Sequence, residues 1–167
     1  MPNRSNTAGT LAYLTLVVES DATCYGGLLA IDSLGRPVEF HCSAPLTPSR
    51  AHSILYGRTL RSHLTDQVVA PALLRSLRRR PAALLVDHRE QLALRSQVHY
   101  PVLHVEIDAA ETARSSGLPV SCHEEHAGDR RIFERVWSRF EEQVELCEPF
   151  ERIRAALREA RGGTKAA

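Results

Sequence analysis

The chain has 167 residues, 43% hydrophobic and 25% charged, which is enough to close one core without disulfide or metal staples. Its 21 basic and 20 acidic side chains leave a net charge of +1. That argues against a strongly cationic coat protein for nucleic acid, while leaving room for a local basic patch. The four cysteines, Cys24, Cys42, Cys122 and Cys147, are scattered singly, so neither a zinc ribbon nor a thioredoxin-type CxxC is present.

Residues 1–10 are polar and carry no apolar h-region, so no signal peptide is expected. No apolar run approaches membrane-spanning length. A cytoplasmic chain with reduced thiols is the simplest expectation. One domain is expected over residues 10–161, with loose tails at 1–9 and 162–167.

From residue 11 the chain reads LAYLTLVV, apolar at alternating and at consecutive positions, as in a strand buried on both faces. Asp21 and the pair Gly26-Gly27 then suggest a tight reversal. LLAID predicts a second strand. Gly35 supplies a turn, and residues 38–42 alternate as a half-buried third strand.

Thr47 followed by Pro48 predicts a helix start. Ile54, Leu55, Leu60 and Leu64 recur at helical spacing, with Gly57 as an interruption. Val68, Val69, Leu73, Leu74 and Leu77 continue the stripe past Pro71. Arg75, Arg78, Arg79 and Arg80 are expected to close that helix, where cations suit its negative end. Residues 82–86 predict a buried strand ending at Asp87, residues 89–98 a short helix, and residues 101–107 another strand. Parallel strands joined by helical crossovers follow from that order.

Residues 115–117 read as a loop and residues 118–122 as a short strand. A helix is expected over 129–147, with Ile132, Phe133, Val136, Trp137, Phe140 and Val144 on one face. A last helix opens at Pro149, carries Phe150, Ile153 and Leu157, and ends at Gly162-Gly163.

Three antiparallel strands, then helix, strand, helix, strand and a terminal helix, resemble the ribonuclease H-like superfamily over roughly residues 11–107. VVESDATCYGG matches the acidic turn and Gly-rich hairpin after that family's first strand. LLVDH places Asp87 at the end of the fourth. Members usually carry an aspartate within strand one, where Leu11 to Val18 has no acid, so Glu19 or Asp21 would stand in. Many also carry a glutamate on the first helix, yet residues 49–80 contain only Asp66. The resemblance implies an α/β fold with a mixed five-stranded sheet and C-terminal helices. It implies contact with nucleic acid, with metal-dependent nuclease chemistry either weak or lost.

Four features carry chemistry. Parallel strands one, four and five would gather Glu19 and Asp21, Asp87, and Glu106 and Asp108 at one carboxyl edge. There Glu19, Asp21, Asp87 and Asp108 are candidate ligands for Mg²⁺ or Mn²⁺, since hard cations take oxygen donors. His88 and His104 could join them. The same acids also suit ordinary strand ends. A second feature, Cys122-His123-Glu124-Glu125-His126, would need His41-Cys42 nearby to complete a zinc site. The third is Arg75, Arg78, Arg79 and Arg80, four guanidiniums able to grip phosphates, extended by Arg58 and Arg61 if the helix is continuous. No aromatic residue interleaves with them, so stacking of bases is not indicated. The fourth is the C-terminal helix pair, whose second stripe could serve a homodimer. The alternative to nucleic acid is then a non-catalytic interaction module. Cys24, in the turn with Asp21, is a weaker candidate as a reactive thiol.

Overall fold

The computed structural model describes residues 9–108 and 117–165. Most of the expected N-terminal tail and the Ser115-Ser116 loop lie outside the described residues. Strands β1 (Leu11–Val18), β2 (Cys24–Ile31), β3 (Pro37–Cys42), β4 (Ala83–Val86), β5 (Val102–Val105) and β6 (Val120–Cys122) form one sheet. Their order is β3-β2-β1-β4-β5-β6. β1, β2 and β3 pair antiparallel, β1, β4 and β5 run parallel, and β6 returns antiparallel on β5. The mixed α/β sheet is as expected, but it has six strands rather than five. The sixth is the short run at 118–122, pinned by Arg130, which donates to the Val120 carbonyl at 2.7 Å and the Leu118 carbonyl at 3.1 Å.

The apolar run of β1 is explained by two cores. Leu11 and Tyr13 join one face, and Ala12, Leu14 and Leu16 join the other, because successive strand residues point to opposite sides. The second face is covered by a helical run. It consists of α1 (Arg50–Tyr56), a 3₁₀ turn at Gly57–Thr59, α2 (Leu60–Ser62), a π-helical turn at His63–Val69, and α3 (Ala70–Ser76). Ser49, rather than Thr47, caps it, its hydroxyl accepting from the His52 amide at 3.2 Å. Gly57 breaks the first segment at φ +49°, a conformation that side-chain-bearing residues avoid.

Residues expected to form a helix at 89–98 adopt a 3₁₀ segment, Arg89–Gln97. Buried Asp129 holds it, accepting from Arg95 at 2.7 Å.

The first face is covered by α4 (Asp129–Trp137) and α5 (Glu148–Lys165). The helix expected over 129–147 is therefore shorter, and its apolar stripe continues through turns that still bury Phe140 and Val144. Ile132, expected inward, is exposed. The last helix runs through Gly162-Gly163 to Lys165. Its Phe150, Ile153 and Leu157 are buried in this chain's own core, so the stripe read as a dimer surface already has its partner. Phe150 packs edge-on against Tyr13 at 5.0 Å between ring centroids.

The reversal after β1 is made by residues 19–23, with Ala22 at φ +66° and the Asp21 carboxylate accepting from the Thr23 amide at 3.0 Å. Gly26 and Gly27 lie inside β2 instead. A Cβ on Gly27 would stand 2.6 Å from Ile153 Cγ2. The glycine is there so that α5 can approach the sheet.

Candidate functional site

Because β1, β4 and β5 are parallel, their carboxyl ends share one edge, and the expected acids do gather along it. Their partners decide what they can do. Asp87 is buried one residue beyond β4. Its Oδ2 accepts from Thr15 Oγ1 at 3.2 Å and from the Arg154 guanidinium at 2.7 Å. Thr15 thus stands beside it in the strand that has no acid, and α5 supplies a cation. Burial pushes the Asp87 carboxyl above its usual range, against the lowering charges of His88 and Arg154 and the Thr15 hydrogen bond. Seven residues further along α5, Arg161 reaches both oxygens of Glu19 at 2.9 Å and lies over the Tyr25 ring.

Asp21 caps the turn and is held below its ordinary value, chiefly by the Thr23 amide. Asp108, with Asp87, His104 and Glu106, lines a cavity of about 470 Å³. His104 is depressed, first by burial, with the Glu106 carboxylate opposing.

This donor set does not fit a divalent cation. Among the described residues no three His, Cys, Asp or Glu side chains converge to hold a metal ion. Asp87 Oδ1 is buried without a hydrogen-bond partner, but its Oδ2 is taken by Thr15 and Arg154. Two of the four expected acids already have arginine counter-ions.

The zinc grouping fails on topology. His41-Cys42 ends β3 and Cys122 ends β6, the opposite margins of the sheet. Five strand spacings put them about 24 Å apart, whereas zinc ligands stand at about 2.0–2.3 Å from the ion. Cys24 is buried and its thiol is pushed up to about 11, first by burial, the reverse of an activated thiolate.

The arginine cluster lies at the other end of the sheet. α3 stops at Ser76, so Arg78, Arg79 and Arg80 form a loop beyond the helix rather than its closing turn. That loop leads into the amino end of β4. Four strand steps alone separate it from Asp87 by about 13 Å. The Glu39 carboxylate fixes it, accepting from the Arg78 amide at 3.0 Å and the Arg79 amide at 3.1 Å. All four side chains are exposed. Among the described residues none makes an ion pair. Arg80 also donates to the His99 carbonyl.

Arg75, Arg80 and Tyr100 line one cavity of about 440 Å³. The aromatic partner missing from the local sequence is therefore brought in from the residue before Pro101. Burial raises the Tyr100 hydroxyl, and the Arg80 charge opposes it. Arg58 and Arg61 do not extend this patch. They face the carboxyl edge, beside His88.

Thr15, Arg154 and Arg161, which contact the expected acids, and Tyr100, which lines a cavity with Arg75 and Arg80, are positions that sequence patterning missed. The one available signal was the seven-residue spacing of Arg154 and Arg161, two helical turns along one face.

No family profile and no curated protein sequence matches the chain. Among solved structures it is similar to the Marinitoga piezophila Argonaute in complex with a 5′ OH guide RNA. There the TM-score is 0.31 and the identity 10%, over 60% of this chain and 17% of that one. It is also similar to the Ciona intestinalis endonuclease V in complex with a 24-mer DNA containing an inosine followed by a ribo-adenosine. That match has a TM-score of 0.34 and 13% identity, over 76% of this chain and 56% of that one. The chain thus spans under two thirds of either structure. No described helix is long and apolar enough to cross a membrane.

Proposed function

We propose that this chain is a ribonuclease H-like domain that contacts nucleic acid without cleaving it. The strand order and the terminal helix against β1 support the superfamily reading. The observation that carries nucleic-acid contact is the cavity shared by Arg75, Arg80 and Tyr100. It combines guanidiniums for phosphate with a ring on which a base can stack. Arg78 and Arg79 flank it on a loop whose backbone Glu39 fixes. The lost-cleavage reading is supported by Arg154, whose guanidinium holds Asp87 Oδ2 where a metal-dependent nuclease would have a cation.

Fluorescence anisotropy with labelled single-stranded DNA and RNA tests this. Affinity should fall steeply with salt. Arg78→Ala with Arg79→Ala should flatten the log–log salt slope by about 1.4, since single strands release about 0.7 counterion per phosphate contact. Tyr100→Ala should weaken binding by about 1–3 kcal/mol. Mg²⁺ and Mn²⁺ should neither raise the melting temperature nor produce cleavage. Absence of binding at low ionic strength sinks the reading.

A second reading then takes over, a protein-interaction module. It is favoured by α1, on which Ile54 is 71% and Leu55 79% exposed.

A further inference from the structure

A separate cavity of about 490 Å³ opens at the carboxyl edge, on the face covered by the helical run. Its size suits a drug- or nucleotide-sized ligand. Leu16 and Val18 of β1 form its apolar wall. Arg58 and Arg61 line it from the helical run, together with His88 and with Glu90 and Gln91 of the 3₁₀ segment.

Three observations point to a ligand. Gln91 is only 3% exposed, yet its Oε1 has no hydrogen-bond partner. A buried acceptor left open costs about 1–3 kcal/mol, which a ligand N–H donor would recover once the Gln91 amide turns that closed-off oxygen toward the cavity its side chain lines. Arg58 and Arg61 are exposed, and among the described residues neither is ion-paired. The helix beside them also changes pitch. The Ala70 amide bonds the Thr65 carbonyl, five residues back, within the π-helical turn. Turns of that kind are rare and concentrate at functional sites. This one places Thr65 and Asp66 on the cavity wall. Burial raises the Asp66 carboxyl, with the Glu90 charge acting the same way and the Thr65 hydrogen bond opposing.

We propose that this cavity binds a nucleoside monophosphate, with the phosphate on Arg58 and Arg61, the base against Leu16 and Val18, and a base N–H donating to Gln91 Oε1. Two neighbouring guanidiniums match a phosphate dianion. The four common bases all carry N–H donors, so Gln91 selects for a base over an apolar group. The site is independent of the nucleic-acid surface, which lies at the opposite edge of the sheet.

The test is isothermal titration calorimetry of the whole chain at low ionic strength, with AMP, GMP, CMP and UMP each, and with inorganic phosphate alone. At least one nucleotide should saturate with a dissociation constant below about 1 mM. Arg58→Ala with Arg61→Ala should lower its affinity at least about tenfold. Gln91→Leu should lower nucleotide affinity about tenfold and leave inorganic phosphate binding unchanged. If Gln91→Leu fails to fold, the arginine variants, at exposed positions, still decide. No saturation by any nucleotide overturns the proposal. So does binding that survives the double arginine variant, or phosphate alone binding as tightly as the nucleotide. Failure of DNA or RNA to bind at the Arg75–Tyr100 surface bears on the other edge and leaves this result untouched.

Discussion

Replacing Arg154 with Met keeps most of the aliphatic stem and removes the charge that faces Asp87. Removing one partner of a fully buried pair costs about 3–5 kcal/mol, because the other charge is left without compensation. Here the Asp87 side chain is 2% exposed but that of Arg154 is 36% exposed. Water can reach the vacated side, and about 2 kcal/mol is the expected loss near neutral pH. For a chain of this length that lowers the melting temperature by about 4–8 °C. The pH dependence identifies the cause. The Asp87 carboxyl is raised above its ordinary value of 3.8, so the folded state takes up a proton more readily than the unfolded chain. Ionising Asp87 therefore costs stability as pH rises from 3.8 through the folded value. Arg154→Met removes a lowering influence and moves the folded value higher. The variant should regain ground on the wild type as pH falls and Asp87 becomes neutral. Urea denaturation at pH 7 and pH 4, with the same change repeated on Asp87→Asn, measures it. A loss equal at both pH values and undiminished on Asp87→Asn would refute the ion-pair argument and leave Arg154 as a packing residue.

Three further outcomes follow from single residues. Gly27→Ala puts a methyl 2.6 Å from Ile153 Cγ2 and should cost about 1–3 kcal/mol by overpacking; thermal denaturation should show part of the loss recovered by Ile153→Val. Gly57→Ala meets no neighbouring atom but must hold φ +49°, so about 1–3 kcal/mol of backbone strain is expected, with no change in binding at the amino edge. Glu39 is lowered despite burial, by the amides of Arg78 and Arg79 and by His41. Its contribution is present above its ordinary value of 4.5 and is lost as pH falls through the folded value. Glu39→Gln should cost about 1–2 kcal/mol at neutral pH, remove that acid-limb slope in a stability–pH series, and weaken DNA binding by loosening the arginine loop.

Much of the fold was legible because the apolar pattern has a physical reason to be regular. β1 is central, so LAYLTLVV must be apolar on both sides. β3 is an edge strand, so residues 38–42 alternate. Phe150, Ile153 and Leu157 repeat at helical spacing because one stripe of α5 meets the sheet. The errors fall where short-range pattern competes with tertiary contact. Gly26-Gly27 resembles a turn in sequence, but its glycines answer to Ile153, more than 120 residues away. The 89–98 segment has too few apolar positions to fix its pitch, and buried Asp129 decides it through Arg95. β6 is only three residues long, and what secures it is Arg130 from the following helix.

The site was less legible, because a sequence displays donors and acceptors but not which of them meet. Glu19 and Asp87 suggested metal ligands because acids at parallel strand ends can converge. Whether they bind a cation depends on what faces them, and α5 brings Arg154 and Arg161 to both. Arg75, Arg78, Arg79 and Arg80 were recognisable as a cluster, and their place before β4 already sets them apart from Asp87, which follows it. Once β4 is seen to run from the arginine loop to Asp87, the two features must sit at opposite edges. A phosphate held by the arginines cannot be presented to Asp87 without a polynucleotide crossing the length of the strand. That geometry separates the proposed binding surface from Asp87 independently of the Asp87–Arg154 pair. Restoring acceptors at the carboxyl edge alone, as in Arg154→Met, should therefore leave nucleic acid bound at the amino edge uncleaved even with Mn²⁺ present. Cleavage appearing in that variant, measured on the labelled strands used for anisotropy, would show that bound substrate does reach Asp87 and would overturn the two-edge argument.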